Sequence, residues 1–334
     1  MIQATVDRLG DLVPPERTMV LTNEALVEAV RRQLPQLPPQ SVIGEPCKRD
    51  TAPCVGLASL LAKARDGDAT LVVLPADHVI DDEAAFRSAV EHAARLVEQS
   101  PGRLVTFGIA PTYPATTFGY IERGDSLGGE LPIPTFAVRQ FREKPPLEVA
   151  KEYIAAGRYY WNAGIFVWKA ATIARALSEF EPDMYRHLET IAASVPKGEN
   201  PASDASGGAF QQALQREFAA IKGKSIDYAV LERYQDVAVV EAPFPWDDVG
   251  NWRSLARLRG TDAHGNTIVG KHLGIGTRDT IVSGDDEHLI VTVGLSDCIV
   301  VHTPDATLVA SKRDEEQLRQ VVEMIRERGW DEFL

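Results

Sequence analysis

The sequence predicts an α/β protein in which a doubly wound parallel sheet that gains antiparallel strands is followed by a small β domain. Up to residue 109, short apolar runs alternate with segments of helical spacing, and the connections between them are short. This alternation is typical of a parallel sheet covered by helices. The run LVVLPADHVI at residues 71–80 combines an apolar stretch with turn chemistry, as expected of a strand buried on both faces. From His264 onward, short β runs separated by turns indicate a second domain of stacked turns.

Local spacing and capping residues predict each element of the first domain. Asn23 is a favourable N-cap for one helix, and Asp50 or Thr51 can cap the next. Acidic residues at 81–83 suit the first turn of the helix after Asp77. The expected order is helical residues 1–9, strand 18–22, helix 23–33, strand 41–44, helix 51–64, a strand from 71, a helix to 99 and strand 103–109.

After residue 109 two β runs have no helix between them, so the sheet is expected to gain antiparallel strands. A predicted domain boundary gives residues 1–260 to the first domain and 261–334 to the second. The remaining predicted elements are β runs 118–122 and 136–143, helix 147–156, strand 161–168, helices 171–180 and 184–193, a Pro-, Gly- and Ser-rich loop 196–208, helices 210–220 and 226–234, strand 237–242, β runs 267–269, 280–283, 289–293, 298–302 and 307–310, and an amphipathic helix 314–328.

Composition and charge narrow the function classes. The chain of 334 residues is 44% hydrophobic and 25% charged, as in ordinary soluble proteins, and no run approaches the roughly 20 apolar residues of a membrane span. No secretory signal is visible, and Cys47, Cys54 and Cys298 are too scattered for a disulfide framework or a zinc site, so we expect reduced thiols in a cytoplasm. A net charge of −13 argues against nucleic acid but allows a nucleotide held by backbone amides and a metal.

Asp77 follows the predicted buried strand directly and precedes a helix. Open α/β sheets bind their ligands at this carboxyl edge. The alternative is that Asp77 only caps the turn.

Four other segments place polar groups among apolar neighbours. RDTAP lies at a helix N-terminus, FREKP ends a strand with a Glu-Lys pair, WNAG places an amide beside Trp161, and WDDVG ends a strand with paired carboxylates. Each segment alone also fits a surface or turn role. Together they supply two separated carboxylates, a cation and several sugar-type hydrogen-bond partners. Two carboxylates hold magnesium when substrate phosphates complete its shell. With no activated nucleophile evident, the pattern favours metal-assisted phosphoryl chemistry between small molecules.

The segments EPCKRDTAP, LPADHVI, TTFGYIERG, FREKP, WNAGIFVWKA, SIDYAVLER and WDDVGNW occur in this order and resemble the mannose-1-phosphate guanylyltransferases, which are sugar-phosphate nucleotidyltransferases. The resemblance covers essentially the whole chain. It implies a Rossmann-like nucleotidyltransferase mixed sheet, then a short left-handed β-helix-type domain and a C-terminal helix. It also implies a reaction in which GTP and mannose 1-phosphate give GDP-mannose and pyrophosphate, with Mg²⁺ as the cofactor.

The same resemblance implies roles for individual residues. Asp77 and Asp248 would hold the magnesium, and together with Lys144 they would serve catalysis. The nucleotide would lie against Glu45, Thr51, Ala52 and Asp77, and the sugar phosphate against Gly119, Glu143, Lys144 and Asn162. In the implied mechanism a sugar-phosphate oxygen attacks the α-phosphorus in line and pyrophosphate leaves. We expect neither nucleic acid nor membrane as partners, while the last helix and the β tail would allow a homodimer.

The given sequence lacks one part of the family's pattern. Relatives open with a strand, a glycine-rich loop G-G-x-G-T-R and a Pro-Lys pair, whereas this sequence starts at MIQATVDRL, inside the following helix. That strand belongs in the middle of the sheet, so its neighbours would lose hydrogen-bonded partners. Three interpretations remain open: a natural protein that carries the segment, a truncated inactive copy, and a regulatory relative that binds nucleotide sugar without turnover.

Overall fold

The structure, a computed structural model, describes residues 1–128, 132–195 and 207–333. Two compact units divide the chain, Met1–Trp246 and Asp247–Leu334. The predicted boundary after residue 260 stays a prediction. Most of the predicted loop 196–208 lies outside the described residues. No described helix is long and apolar enough to cross a membrane.

The first unit alternates strands and helices through its first half, as predicted. Its strands are β1 (Val20–Asn23), β2 (Val42–Glu45), β3 (Thr70–Val73), β4 (Val79–Ile80), β5 (Leu104–Ile109), β6 (Gly119–Ser126), β7 (Thr135–Glu143), β8 (Tyr159–Lys169), β9 (Val237–Glu241) and the start of β10 (Trp246–Asp247). Its helices are α1 (Ile2–Asp7), α2 (Val27–Gln33), α3 (Thr51–Asp66), α4 (Glu83–Gln99), α5 (Leu147–Ala156), α6 (Ala170–Phe180), α7 (Pro182–Ala193) and α8 (Gly207–Ala220).

One capping prediction is confirmed, one is adjusted, and one of the acidic residues predicted near the start of α4 is the N-cap of that helix. The carboxylate of Asp50 accepts a hydrogen bond from the Thr51 amide at the start of α3, and Asp82 caps α4 through the Ala85 amide. Asn23 caps a 3₁₀ turn at Glu24–Leu26, and α2 begins only after it.

Two predicted elements differ in detail from the structure. The helix predicted at 226–234 is a shorter π-helix at Asp227–Leu231, and a short strand, β4, separates Asp77 from α4. Local sequence spacing does not distinguish i→i+5 from i→i+4 bonding here, because a single turn is too short for the two periods to separate.

Within the described residues, the main sheet has six strands in the order β3-β8-β5-β9-β7-β6. The β5–β9 pair is parallel, whereas β8 runs antiparallel to β3, β5 and β6. The mixed sheet predicted from the two helix-free β runs is therefore confirmed. Side chains alternate along β8: Phe166 and Trp168 pack under α3, α6 and α7, while Ile165 and Val167 pack under α4.

β1 and β2 form a separate parallel pair, and a cavity lies between this pair and β3. The cavity has a volume of about 670 Å³ and is lined by apolar residues of β1, α1, α3 and β3. Among the described strands, β3 pairs only with β8 and β1 only with β2. Residues of β1 and β3, each of which has one strand partner among the described strands, thus line the same cavity.

The second unit consists of stacked short strands flanked by two helices. Strands β11 (Thr267–Val269), β13 (Ile281–Ser283) and β15 (Cys298–His302) form a parallel ladder, and β12 (His272–Ile275) pairs in parallel with β14 (Ile290–Val293). β16 (Thr307–Ser311) closes the ladder in the antiparallel sense. The flanking helices are α9 (Arg253–Arg259) and α10 (Leu318–Glu327), and the predicted helix 314–328 thus begins as a 3₁₀ segment, Lys312–Gln317.

Candidate active site

Gly119, Glu143 and Asn162, three of the residues predicted to contact the sugar, lie together in the first unit. Antiparallel pairing of β6 with β7 places Gly119 opposite Glu143, and β8 carries Asn162 alongside. A Cβ atom on Gly119 would lie 2.4 Å from Oε2 of Glu143 and 3.5 Å from Cβ of Asn162. Any side chain at position 119 would collide with the Glu143 carboxylate, so only glycine allows this close approach. The three residues therefore line a small polar recess.

Lys144 follows Glu143 with a left-handed backbone (φ 47°), which is uncommon for a residue with a side chain. The Lys144 amide donates to the Phe118 carbonyl over 3.2 Å, and Nζ lies 3.2 Å from Oε1 of Glu143. The side chain of Glu143 is 12% exposed, whereas that of Lys144 is 62% exposed. The strained backbone thus sends an exposed cation out from the same recess.

The side-chain amide of Asn162 is fixed on both sides. Oδ1 accepts hydrogen bonds from Thr106 Oγ1 (3.0 Å) and from the Gly164 amide (3.2 Å), and Nδ2 donates to Oδ1 of Asp227 (3.0 Å). The sequence predicted Asn162 at the start of a strand, and this was wrong, because β8 begins earlier, at Tyr159, and Asn162 lies inside it. Three partners define which way the amide faces.

Asp227 was missed as a site residue, although it belongs to the segment SIDYAVLER that carries part of the family resemblance. It opens the π-helix and is half-buried. Burial raises the pKa of Asp227 to about 7, and the nearby charge of Glu143 acts in the same direction. No local sequence signal reveals this, because the contact with Asn162 joins residues 65 positions apart.

Asp77 lies in the loop between β3 and β4, as the sequence predicted, and its side chain is 77% exposed. The loop packs on Gly164, which has a left-handed backbone (φ 68°). A Cβ atom at this position would lie 3.4 Å from the Pro75 side chain and 3.7 Å from the His78 ring. Since Gly164 is two residues from Asn162, the Asp77 loop and the sugar recess are neighbours.

His78 has one ring tautomer imposed by its surroundings. The indole Nε1–H of Trp246 donates to His78 Nδ1 over 3.1 Å, and an indole can only donate. Nδ1 is therefore the unprotonated nitrogen, and Nε2, 4.0 Å from Oδ1 of Asp77, carries the proton. The Arg8 side chain donates to the His78 carbonyl, and the Thr5 hydroxyl donates to the Ala76 carbonyl. The loop is therefore held in place by α1 and the residue that follows it.

Glu45, Thr51 and Ala52, the residues predicted to surround the base, lie at the end of β2 and the start of α3. Oε1 of Glu45 is buried and has no hydrogen-bond partner. Burial raises the pKa of Glu45, while its hydrogen bond with Cys54 lowers it. Thr51 Oγ1 accepts from the Ile226 amide, and the buried Ala52 donates its amide to the Lys224 carbonyl. Within this group, Glu45 therefore has an oxygen, Oε1, that can still accept a hydrogen bond from a ligand.

In the second unit, the two carboxylates of WDDVG have different surroundings. Arg257 donates to Oδ2 of Asp247 over 2.5 Å and to Oδ1 over 3.2 Å, and the Val249 amide adds a bond of 2.8 Å. Burial by itself would raise the pKa of Asp247, but these hydrogen bonds outweigh it and lower the pKa. Burial raises the pKa of Asp248, and Asp247 adds to this effect.

Asp248 Oδ1 is buried without a hydrogen-bond partner, and a Cβ on Gly250 would lie 2.4 Å from Oδ2. An unsatisfied buried carboxylate oxygen suits a hard cation, which prefers oxygen ligands. Among the described residues, no three acidic, histidine or cysteine side chains gather into a metal site. A cation bound at Asp248 would therefore take its other ligands mainly from water and substrate phosphates, and the unpartnered Oδ1 suits such a cation.

The mixed α/β sheet, the polar recess of Gly119, Glu143 and Asn162, and the exposed Asp77 loop together indicate a nucleotidyltransferase. Residues 1–264 match the family model described as nucleotidyl transferase, and residues 270–325 match one described as a MannoseP isomerase/GMP-like beta-helix domain. These matches confirm the predicted fold class.

Relatives specify the family further. The mannose-1-phosphate guanylyltransferase of Escherichia coli is 39% identical over 333 residues, which cover 98% of this chain and 67% of that protein. The mannose-1-phosphate guanylyltransferase ManC of Salmonella typhimurium is 38% identical with the same coverage. A crystal structure described as a mannose-1-phosphate geranyltransferase from Thermus thermophilus aligns with a TM-score of 0.82 and 33% identity, over 97% of this chain and 89% of that one. The chain belongs to the mannose-1-phosphate guanylyltransferase family.

Proposed function

We propose that the protein transfers a guanylyl group from GTP to mannose 1-phosphate, giving GDP-mannose and pyrophosphate. The observation that supports this most directly is the polar recess formed by Gly119, Glu143 and Asn162, beside the exposed cation of Lys144 and next to the Asp77 loop. The alternative expectation, a binding protein without turnover, finds no support in relatives that are named as transferases.

The sugar phosphate would occupy the recess. Glu143 accepts hydrogen bonds from sugar hydroxyls, and the fixed amide of Asn162 offers its remaining N–H to another. Lys144 places its ammonium group near the phosphate, where it offsets negative charge as the phosphate oxygen attacks. Because the recess is built on three paired strands, the nucleophile is held in one position, which lowers the entropic cost of the in-line displacement.

The base would lie against the N-terminus of α3, with Glu45, Thr51 and Ala52 around it. The unpartnered Oε1 of Glu45 is an acceptor, and guanine presents donors on its ring and exocyclic nitrogens where adenine presents a ring acceptor. An acceptor at this position therefore favours guanine. The buried Ala52 does not offer its backbone N–H to the base, because that N–H already donates to the Lys224 carbonyl.

Nucleotidyltransferases of this family use a divalent metal, and we propose that here it is Mg²⁺, held by Asp77 and Asp248. When bound, the ion would neutralise phosphate charge in the transition state. A cytoplasmic location and a homodimer stay predictions from the sequence.

The test is pyrophosphate release from purified protein supplied with GTP, mannose 1-phosphate and MgCl₂. We expect release that depends on both substrates and stops when the metal is chelated. Replacing GTP by ATP, or mannose 1-phosphate by glucose 1-phosphate, should lower the rate. Binding of GDP-mannose with no turnover under any of these conditions would contradict the proposal.

A further inference from the structure

Asp227 has features that the reaction as described does not use. It is a half-buried carboxylate at the first position of a π-helix, within reach of the Glu143 charge. A carboxyl group placed near another carboxylate in a poorly hydrated position destabilises the fold unless it serves a specific partner. Single π-helical turns are rare and occur frequently at functional sites. The partner that the structure shows is Nδ2 of Asn162.

The hydrogen bonds of Asn162 assign a definite part to Asp227. Thr106 Oγ1 and the Gly164 amide both donate to Oδ1, so they orient the amide plane and leave Nδ2 toward Asp227. One of the two N–H bonds of Nδ2 is directed to Asp227, and the other is then fixed in direction by the planarity of the amide. Without the Asp227 acceptor, the amide would be held from one side only.

We propose that Asp227 is a positioning residue of the sugar-phosphate site and that, by holding Asn162, it sets the discrimination between epimeric sugar hydroxyls. This inference rests on the proposed function and names a residue beyond it. Asp227 does not need to touch the sugar, because its effect passes through the Asn162 amide. The charged groups around Asp227 are Glu143 and Lys144 at the end of β7 and Asp50 at the start of α3.

A conservative and a disruptive substitution separate positioning from charge. Asp227→Asn keeps an acceptor oxygen for Nδ2 of Asn162, whereas Asp227→Leu has a similar volume and no acceptor. Asp236→Asn is a matched control, because Asp236 pairs with Arg103 on the surface and is not among the residues assigned to the site. The full chain of each variant is titrated in a calorimeter with mannose 1-phosphate, glucose 1-phosphate and, separately, GTP with MgCl₂.

We expect Asp227→Leu to weaken mannose 1-phosphate binding about tenfold and to reduce the preference for mannose over glucose. The reason is that the Asn162 amide loses the acceptor that orients it, so its hydrogen bond to the sugar is lost or misplaced. Affinity for GTP should stay within about twofold of the wild type. Asp227→Asn should restore both affinity and preference to within about threefold, and Asp236→Asn should match the wild type.

Two results would overturn the inference. One is an Asp227→Leu variant that binds both sugar phosphates as the wild type does. The other is a parallel loss of GTP and sugar-phosphate affinity together with a lower unfolding midpoint, which indicates a structural role. If the leucine variant does not fold, Asp227→Ala replaces it, and failure of both while Asp227→Asn folds also indicates a structural role. A wild-type protein that binds neither GTP nor mannose 1-phosphate contradicts the proposed function itself, and the inference falls with it.

Discussion

Arg257 donates two hydrogen bonds to Asp247, of 2.5 and 3.2 Å, and so gives two adjacent carboxylates different surroundings. Asp247 is neutralised inside its own unit, while Asp248 keeps a buried oxygen without a partner. In the sequence the two residues are indistinguishable candidates for a metal ligand. Their surroundings favour Asp248, the residue to which the resemblance also assigned that role.

Exchanging either carboxylate for its amide should therefore have opposite consequences. Asp248→Asn removes the proposed metal ligand, and we expect kcat/KM for pyrophosphate release to fall by about 10²–10³-fold with little change in stability. Asp247→Asn removes a hydrogen-bonded partner of Arg257, so we expect the free energy of unfolding to fall by about 1–3 kcal/mol with activity largely kept. Urea unfolding and the pyrophosphate assay measure the two effects. Equal losses of activity in both variants would contradict this division.

Gly119→Ala should act on the sugar phosphate alone. The added methyl group would meet Oε2 of Glu143 at 2.4 Å and would force that carboxylate to move. We expect KM for mannose 1-phosphate to rise about tenfold or more while KM for GTP is unchanged. Gly102→Ala is the control, because a Cβ at Gly102 has no described atom within 4 Å. A normal KM in the Gly119 variant would show that the recess does not hold the sugar.

The carboxyl of Asp227 should make stability depend on pH. Its pKa is about 7 in the folded chain, against 3.8 for an ordinary Asp, so between these values the folded state binds the proton that the unfolded state has released. The contribution to stability is thus complete below about pH 4 and is lost as the pH rises through about 7. Between pH 5 and pH 8 we expect this group to lower the free energy of unfolding by roughly 2–3 kcal/mol.

Asp227→Asn cannot titrate, so the loss of stability between pH 5 and pH 8 should be smaller in this variant by that amount. Urea denaturation of both proteins at the two pH values measures the difference. If the two proteins lose stability equally over this range, the carboxyl of Asp227 ionises normally in the folded state.

The cavity of about 670 Å³ between β1 and β3 should accept an extended strand. A chain lengthened before Met1 by about six alternating apolar residues and a short Gly-Ser linker could pair with the open edges of both strands. We expect the free energy of unfolding to rise by about 2 kcal/mol or more from new hydrogen bonds and apolar burial. The control extension has the same composition with two residues replaced by proline, which cannot complete a ladder. Equal urea midpoints for both extensions would show that the cavity does not take a strand.

Much of the fold could be predicted from local pattern. The strand that leads to Asp77, the caps at Asp50 and Asp82, and the antiparallel strands that carry Gly119 and Glu143 all follow from apolar runs and turn residues. The predicted burial of that strand on both faces was wrong, because β3 is an edge strand of the described main sheet and is only half-buried. The π-helix at Asp227 and the extra strand β4 could not be predicted, because both depend on contacts made by distant residues. The residue-by-residue site assignments came from resemblance to a family, and pattern alone gave only the residue types.

By itself, the sequence determined the class of chemistry: carboxylates, an amide and a lysine at strand ends, in an acidic chain whose order of motifs matches one family. Only the tertiary structure decided which of those groups are available. Arg257 satisfies Asp247 and leaves Asp248, the Lys224 carbonyl occupies the amide of Ala52, and Asp227 joins Asn162 across 65 positions of chain. The physical reason is that a polar group's availability depends on its hydrogen-bond partners, and those are brought to it by packing rather than by sequence neighbours.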